Sequence, residues 1–170
     1  GVAPAVIYSS PQERALRTAD CLTEALATPL VTDPRLCERD VGVLTGLTFA
    51  EVYARYPEWS GTWQVANDEW PPIPGEEGPD ALARRAGEAI ASWRARHVDG
   101  EIVLAVSHGG ILSAMLCSLL GVPGDRTSPF AFGNASLTTV DLAPGRVRLV
   151  GLNDLCHLKD EHRYGRGESE

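Results

Sequence analysis

Residues 103 to 112 read VLAVSHGGIL: an apolar run breaks at Ser107-His108-Gly109-Gly110 and then resumes. The first part, within EIVLAVS (101–107), is too uniformly apolar to be half exposed, so a central strand covered on both faces is expected. The second part, GGILSAMLCSLLG, is expected to form a nearly all-apolar helix closed by Gly121, with Pro123 beyond it. A histidine and two glycines therefore stand at a strand-to-helix junction. Glycine at such a place lets a ligand approach the backbone closely.

A second junction of the same kind lies near the start. AVIYSS (5–10) reads as a short buried strand that runs into SPQERALRTADCLTEALAT. Ser10 as N-cap, Pro11 at the first helical position and Glu13 at the third make a capping box with a proline start. Ala15, Ala19, Leu22 and Leu26 recur at helical spacing, which puts them on the face that packs on the core. Arg14 lies just inside the first turn. In open α/β sheets ligands bind where strands end and helices begin, because free N–H groups and the positive end of the helix dipole meet there. A histidine at a strand end is, taken alone, more often structural. Paired with an arginine at a matching junction, His108 points to an anion site.

The rest of the chain fits the same architecture. PLVTDPRLCERDVGVLTGL (29–47) offers a short strand and then a loop with Gly42 and Gly46. TFAEVYARYP carries a capping box, Thr48 with Glu51, and a helix that must end before Pro57. Between Pro57 and Pro79 stand Trp59, Trp63 and Trp70 among prolines and glycines. Residues 57–79 read either as a lid or specificity loop, or as an irregular surface segment pinned by its tryptophans. Pro79 opens a helix whose Leu82, Ala86, Ala89 or Ile90 and Trp93 share one face. SLTTVDL and RVRLVGL, separated by Ala143-Pro144-Gly145, predict a hairpin. Strands alternating with helices imply an α/β domain with a covered, mostly parallel sheet, and 170 residues suit one such domain, 1–170.

Composition narrows the partners. The net charge of −8, from 15 Lys+Arg against 23 Asp+Glu, argues against a nucleic-acid surface, which needs clustered positive charge. No run of about 18 apolar residues suggests a membrane span. The four cysteines, Cys21, Cys37, Cys117 and Cys156, are scattered without a C-x-x-C pair, so reduced, buried thiols in a cytoplasmic protein are expected. His97 and His162 read as solvent-side residues. A zinc site through His108, Cys156 and His157 fits no usual ligand spacing, and no metal or cofactor is expected. A serine hydrolase would need a G-x-S-x-G elbow, which is absent from the sequence.

Several segments, in order, resemble the histidine phosphatase superfamily, the phosphoglycerate mutase-like enzymes. SSPQERALRTA is similar to the family's S-S-P-x-x-R-A-x-x-T-A segment, and VLAVSHGGIL to its second catalytic-histidine segment. LCERDVGVLTGLTFAEV resembles L-x-E-x-x-x-G-x-W-E-G, and PGEEGPDALARRA resembles P-G-G-E-S followed by a helical arginine. GNASLTTVDL and LNDLCHL resemble the closing strands, so the likeness runs from about Val6 to Leu158. It implies a three-layer α/β sandwich and phosphoryl transfer through a phosphohistidine, most simply as a phosphatase of small phosphomonoesters. The implied substrate is a small phosphorylated metabolite, and a homodimer is compatible with this reading. In the implied site Arg14 clamps phosphoryl oxygens and His108 stabilises the transferring group. The Gly109 region adds helix N-terminal donors, Ser10 lines the pocket, and Glu38 is the general acid.

The departures bear on specificity. Leu44-Thr45-Gly46 stands where the family often has W-E-G, and Gly75-Glu76-Glu77-Gly78 where it has G-G-E-S. The family's first strand ends in Arg-His-Gly, whose histidine is the nucleophile, and no R-H-G occurs in these 170 residues. The chain begins with Gly1 and its single methionine is Met115. The expectation is that this strand and its helix lie upstream of residue 1. Two alternatives stay open: a non-catalytic, phosphate-ester binding relative, and an isomerase of the phosphoglycerate mutase type. By that resemblance the compact stretch between Glu38 and His108 favours hydrolysis over mutase action, since the family's mutases usually carry longer insertions there.

Overall fold

The computed structural model describes residues 3–57, 73–123 and 129–158. The chain divides into two compact units, Gly1–Pro129 and Phe130–Glu170. Most of the proposed lid, with Trp59, Trp63 and Trp70, lies outside the described residues, as does His162.

The first unit is built on a parallel sheet. Strand β1 (Val6–Ser9) pairs with β2 (Leu30–Thr32) on one side and with β3 (Val103–Val106) on the other, both in parallel. Helix α1 (Glu13–Leu26) connects β1 to β2 and packs on all three strands. Helix α2 (Phe49–Arg55), helix α3 (Pro79–Arg96) and helix α4 (Gly109–Leu120) complete the unit. Alternate residues of β1 point to opposite faces. Val6 and Tyr8 enter a cluster with Leu36, Leu82, Ala86, Ala89, Ile90, Ile111 and Met115, which places α3 and α4 together on one face. Ala15 and Ala19 of α1 are buried but lie outside that cluster, so α1 covers the other face, towards which Ile7 and Ser9 turn.

Local signals account for most element ends. Thr48 Oγ1 accepts from the Glu51 N–H while the Glu51 carboxylate accepts from the Thr48 N–H, and α2 stops at Tyr56, before Pro57. Pro79 begins α3, where its missing N–H costs nothing. Gly121, at φ 67°, closes α4 in the left-handed region. In the second unit β4 (Leu137–Ala143) and β5 (Arg146–Asp154) form the expected antiparallel hairpin, turning through Pro144-Gly145.

Five expectations are corrected. It is β1 that lies between two strands; among the described residues β3 pairs with β1 alone, and all four of its residues are partly exposed. Helix α1 starts at Glu13 with Gln12 as N-cap, because Gln12 is still extended, although Ser10 Oγ does accept from the Gln12 N–H ahead of the helix. Leu26, the last residue of α1, is 39% exposed and does not belong to the core face. Of the cysteines, all free, only Cys117 is buried, while Cys21 and Cys156 are exposed. His97 is largely covered: Tyr8, stacked on Trp93, reaches its Nε2 at 3.1 Å, and Glu101 meets its Nδ1 at 2.9 Å.

No helix among the described residues is long and apolar enough to cross a membrane. Because Ile111 is fully buried at the centre of the α3–α4 cluster, Ile111→Ala is expected to lower the unfolding free energy by about 2–5 kcal/mol. Urea denaturation checks this, with Val150→Ala, at a position 61% exposed, as the near-neutral control.

Candidate active site

The parallel register of β1 and β3 aligns Ser9 with Val106, so both strands end at the same level. The Ser10 N–H continues the ladder to the Val106 carbonyl at 3.0 Å. Beyond that point each chain turns into a helix, and the residues at the two turns meet. His108, N-cap of α4, is 8% exposed and its Nε2 lies 2.9 Å from Ser10 Oγ. Its Nδ1 accepts from Arg14 Nε at 3.1 Å.

These contacts define the tautomer. A guanidinium can only donate, so Nδ1 must be the unprotonated nitrogen and Nε2–H donates to Ser10 Oγ. Ser10 Oγ accepts a second bond from the Gln12 N–H at 3.2 Å. Burial holds the His108 pKa below the ordinary histidine value, the Arg14 guanidinium adds to that, and Glu38 offsets part of it. The site thus places a neutral imidazole beside a permanent cation. A bound dianion would reverse the balance and favour the imidazolium.

Glu38 arrives from the loop after the 3-10 turn Pro34–Leu36. Ser107 Oγ donates to the Leu36 carbonyl at 2.7 Å, which ties this loop to the end of β3. One Glu38 oxygen accepts from the Arg39 N–H at 2.8 Å, and the other accepts from the Gly110 N–H at 3.3 Å. The second glycine of the S-H-G-G stretch therefore has a steric reason: a Cβ on Gly110 would lie 2.5 Å from Glu38 Oε1. Gly109 opens α4 and is exposed.

The five residues singled out from sequence, Ser10, Arg14, Glu38, His108 and Gly109, all lie around this one mouth. Sequence reasoning missed Gln12. Its Oε1 accepts from Arg14 Nη2 at 3.3 Å and from the Glu38 N–H at 3.1 Å, so it joins the clamp to the carboxylate-bearing loop. Its place between Ser10 and Arg14 was the available signal. Among the described residues no group of His, Cys, Asp and Glu could hold a metal ion. The site offers fixed cationic and N–H donors at a sheet edge, which is an arrangement for a phosphoryl group.

Two measurements follow from the electrostatics. His108 has its pKa depressed in the folded state, so the unfolded chain takes up its proton first as pH falls. Its neutral form is unpenalised well above the unfolded value of about 6.5, and stability is lost as pH drops through that value. The urea midpoint of the native chain is expected to fall relative to His108→Gln between about pH 7.5 and 5.5. Gly110→Ala is expected to displace the Glu38 carboxylate, seen as loss of its contact with α4 in a crystal structure of the variant, while the sheet is unchanged.

Known proteins resemble this chain in sequence and in fold. The sequence profile of the histidine phosphatase superfamily (branch 1) matches residues 1–155. A protein of Hydrogenobacter thermophilus named putative phosphoserine phosphatase 2 is 31% identical over 154 residues, covering 91% of this chain and 74% of the relative. The solved structure of Bacillus stearothermophilus YhfR superposes with a TM-score of 0.78 at 30% identity, over 94% of this chain and 78% of that one. A mycobacterial glucosyl-3-phosphoglycerate phosphatase, solved in complex with inorganic phosphate, gives a TM-score of 0.75 at 30% identity, over 89% and 77%.

Proposed function

This chain belongs to the histidine phosphatase superfamily, and from that premise we propose that it is the phosphoryl-binding and proton-transferring part of a phosphomonoester phosphatase. The observation that carries the reading is the buried His108 held between Arg14 and Ser10, with the Glu38 carboxylate on the first turn of the same helix. The substrate class is a small polar phosphomonoester, the chemistry named for the relatives.

The roles follow from the donors. Arg14 binds two phosphoryl oxygens with its fork once Nε is released from His108. Ser10 Oγ, already accepting from Gln12 and His108, has its own O–H left to donate to a third oxygen. His108 takes up a proton as the dianion binds and becomes a second cationic donor to the charge that spreads over the equatorial oxygens. The nucleophilic imidazole is expected from sequence upstream of residue 1. Its nitrogen forms a bond to phosphorus while the ester P–O bond breaks, and Glu38 gives its proton to the departing oxygen. The resulting carboxylate then takes a proton from water as that water attacks phosphorus and the P–N bond breaks, which releases inorganic phosphate and restores the acid. No cofactor enters these steps.

The complete gene product is expected to hydrolyse p-nitrophenyl phosphate and at least one small natural phosphomonoester. Arg14→Ala and His108→Ala should each lower kcat/KM by about 10²-fold or more. No turnover of any ester by a product that carries an upstream Arg-His-Gly would reject the phosphatase reading. Orthovanadate binding without turnover would favour a non-catalytic phosphate-ester binding protein.

A further inference from the structure

Glu38 stands on a loop that is neither helix nor strand, and a carboxyl group is held no better than the backbone that carries it. Residues 37 to 45 are fastened along their length to residues 73 to 77. The Val43 N–H donates to the Pro74 carbonyl at 3.1 Å, the Glu77 N–H donates to the Asp40 carbonyl at 2.9 Å, and Val41 and Glu76 form an isolated β-bridge. Arg39, next to Glu38, is ion-paired with Glu76. Gly42, at φ 56°, lies against this segment so closely that a Cβ would come 2.2 Å from the Pro74 oxygen. The two segments form one clasp, but these bonds alone do not tie it to the helices.

One side chain of α3 does. Arg85 Nε and Nη2 donate to the two carboxylate oxygens of Glu77 at 2.9 and 2.5 Å. Its Nη1 donates to the Arg35 carbonyl at 2.7 Å and to the Cys37 carbonyl at 2.8 Å, the latter belonging to the residue just before Glu38. Both partners of the ion pair are about four-fifths buried, with side chains 19% and 18% exposed. Glu77 stays ionised well below the usual carboxylate range, because the bond to Arg85 outweighs the cost of burying it. One planar guanidinium thus grips both halves of the clasp and anchors them to a helix of the core. An ammonium group cannot make this set of bonds, since it lacks the rigid fork.

We propose that Arg85 is a positioning residue for the proton transfer, fixing the backbone from which the Glu38 carboxyl reaches the leaving oxygen. The proposal rests on the phosphatase reading and on Glu38 as its acid. In kcat/KM, which runs only as far as departure of the leaving group, a misplaced acid slows esters whose leaving oxygen needs a proton, whereas p-nitrophenolate leaves without one; the later attack of water is common to both. A general loss of structure would slow both kinds alike.

The test measures kcat/KM of the complete gene product on p-nitrophenyl phosphate and on an alkyl ester such as glycerol phosphate, for wild type, Arg85→Lys, Arg85→Met and Glu77→Gln. Both Arg85 variants are expected to lose about 10²-fold on the alkyl ester, less than about threefold on p-nitrophenyl phosphate, and nothing in the inhibition constant for orthovanadate. Arg85→Lys, which keeps the charge, should fail to rescue, and Glu77→Gln should show the same selectivity to a smaller degree. Should Arg85→Met fail to fold, Arg85→Lys and Glu77→Gln carry the comparison. Equal losses on both esters, or no loss on the alkyl ester, would overturn the proposal. If the wild type hydrolyses neither ester, the phosphatase reading fails instead. Hydrogen exchange then decides the positioning: amides of residues 38–45 should exchange at least about tenfold faster in Arg85→Lys, with β1 and α4 unchanged, and no acceleration would reject it.

Discussion

The in-register parallel pairing of β1 with β3 is the constraint from which the site follows. Parallel strands that end level with one another put both following turns on the same side of the sheet, and both turns open helices. Ser10 and His108, distant in sequence, therefore sit within a hydrogen bond of each other. The apolar faces behind them hold this register. A slip by one residue would exchange Val6 and Tyr8, which pack on α3 and α4, with Ile7 and Ser9, which face α1.

Around that mouth the charges are arranged for an anion. A neutral, buried imidazole beside a guanidinium is a poor resting place for a cation and a good one for a dianion, because the ligand supplies the charge that lets His108 take a proton. The Arg14–His108 and His108–Ser10 bonds satisfy both ring nitrogens of the buried imidazole, so neither is left without a partner at a cost. Gln12 binds the arginine side of the site to the Glu38 side, and Arg85 binds the Glu38 side to α3. Arg14 and Glu38 are consequently mounted on different parts of one compact unit.

Much of this was legible from local chemistry. The Thr48–Glu51 box, Pro79 at a helix start, Gly121 at a helix end and Pro144-Gly145 in a hairpin act over a few residues, and each reading matches the structure. Where a local rule met a competing partner it failed. Ser10 has the right identity for an N-cap and its Oγ does accept from the Gln12 N–H, yet it is shared with His108, and the helix begins only after the extended Gln12. His97 has the polarity of a surface residue, yet Tyr8 covers it from the sheet. The apolar run of β3 suggested a strand flanked on both sides, but composition cannot say which strand has two neighbours.

The order of residue types along the chain was enough to establish the α/β pattern, the two strand-to-helix junctions and the family, because capping, periodicity and motif spacing are written in neighbouring residues. Folding alone settled how Gly110 leaves room for the Glu38 carboxylate, what Gln12 joins and what holds Glu38 in place. Each of these depends on atoms that approach from segments far apart in the chain, and a Cβ 2.5 Å from a carboxylate or an arginine shared by three acceptors has no signature in sequence order.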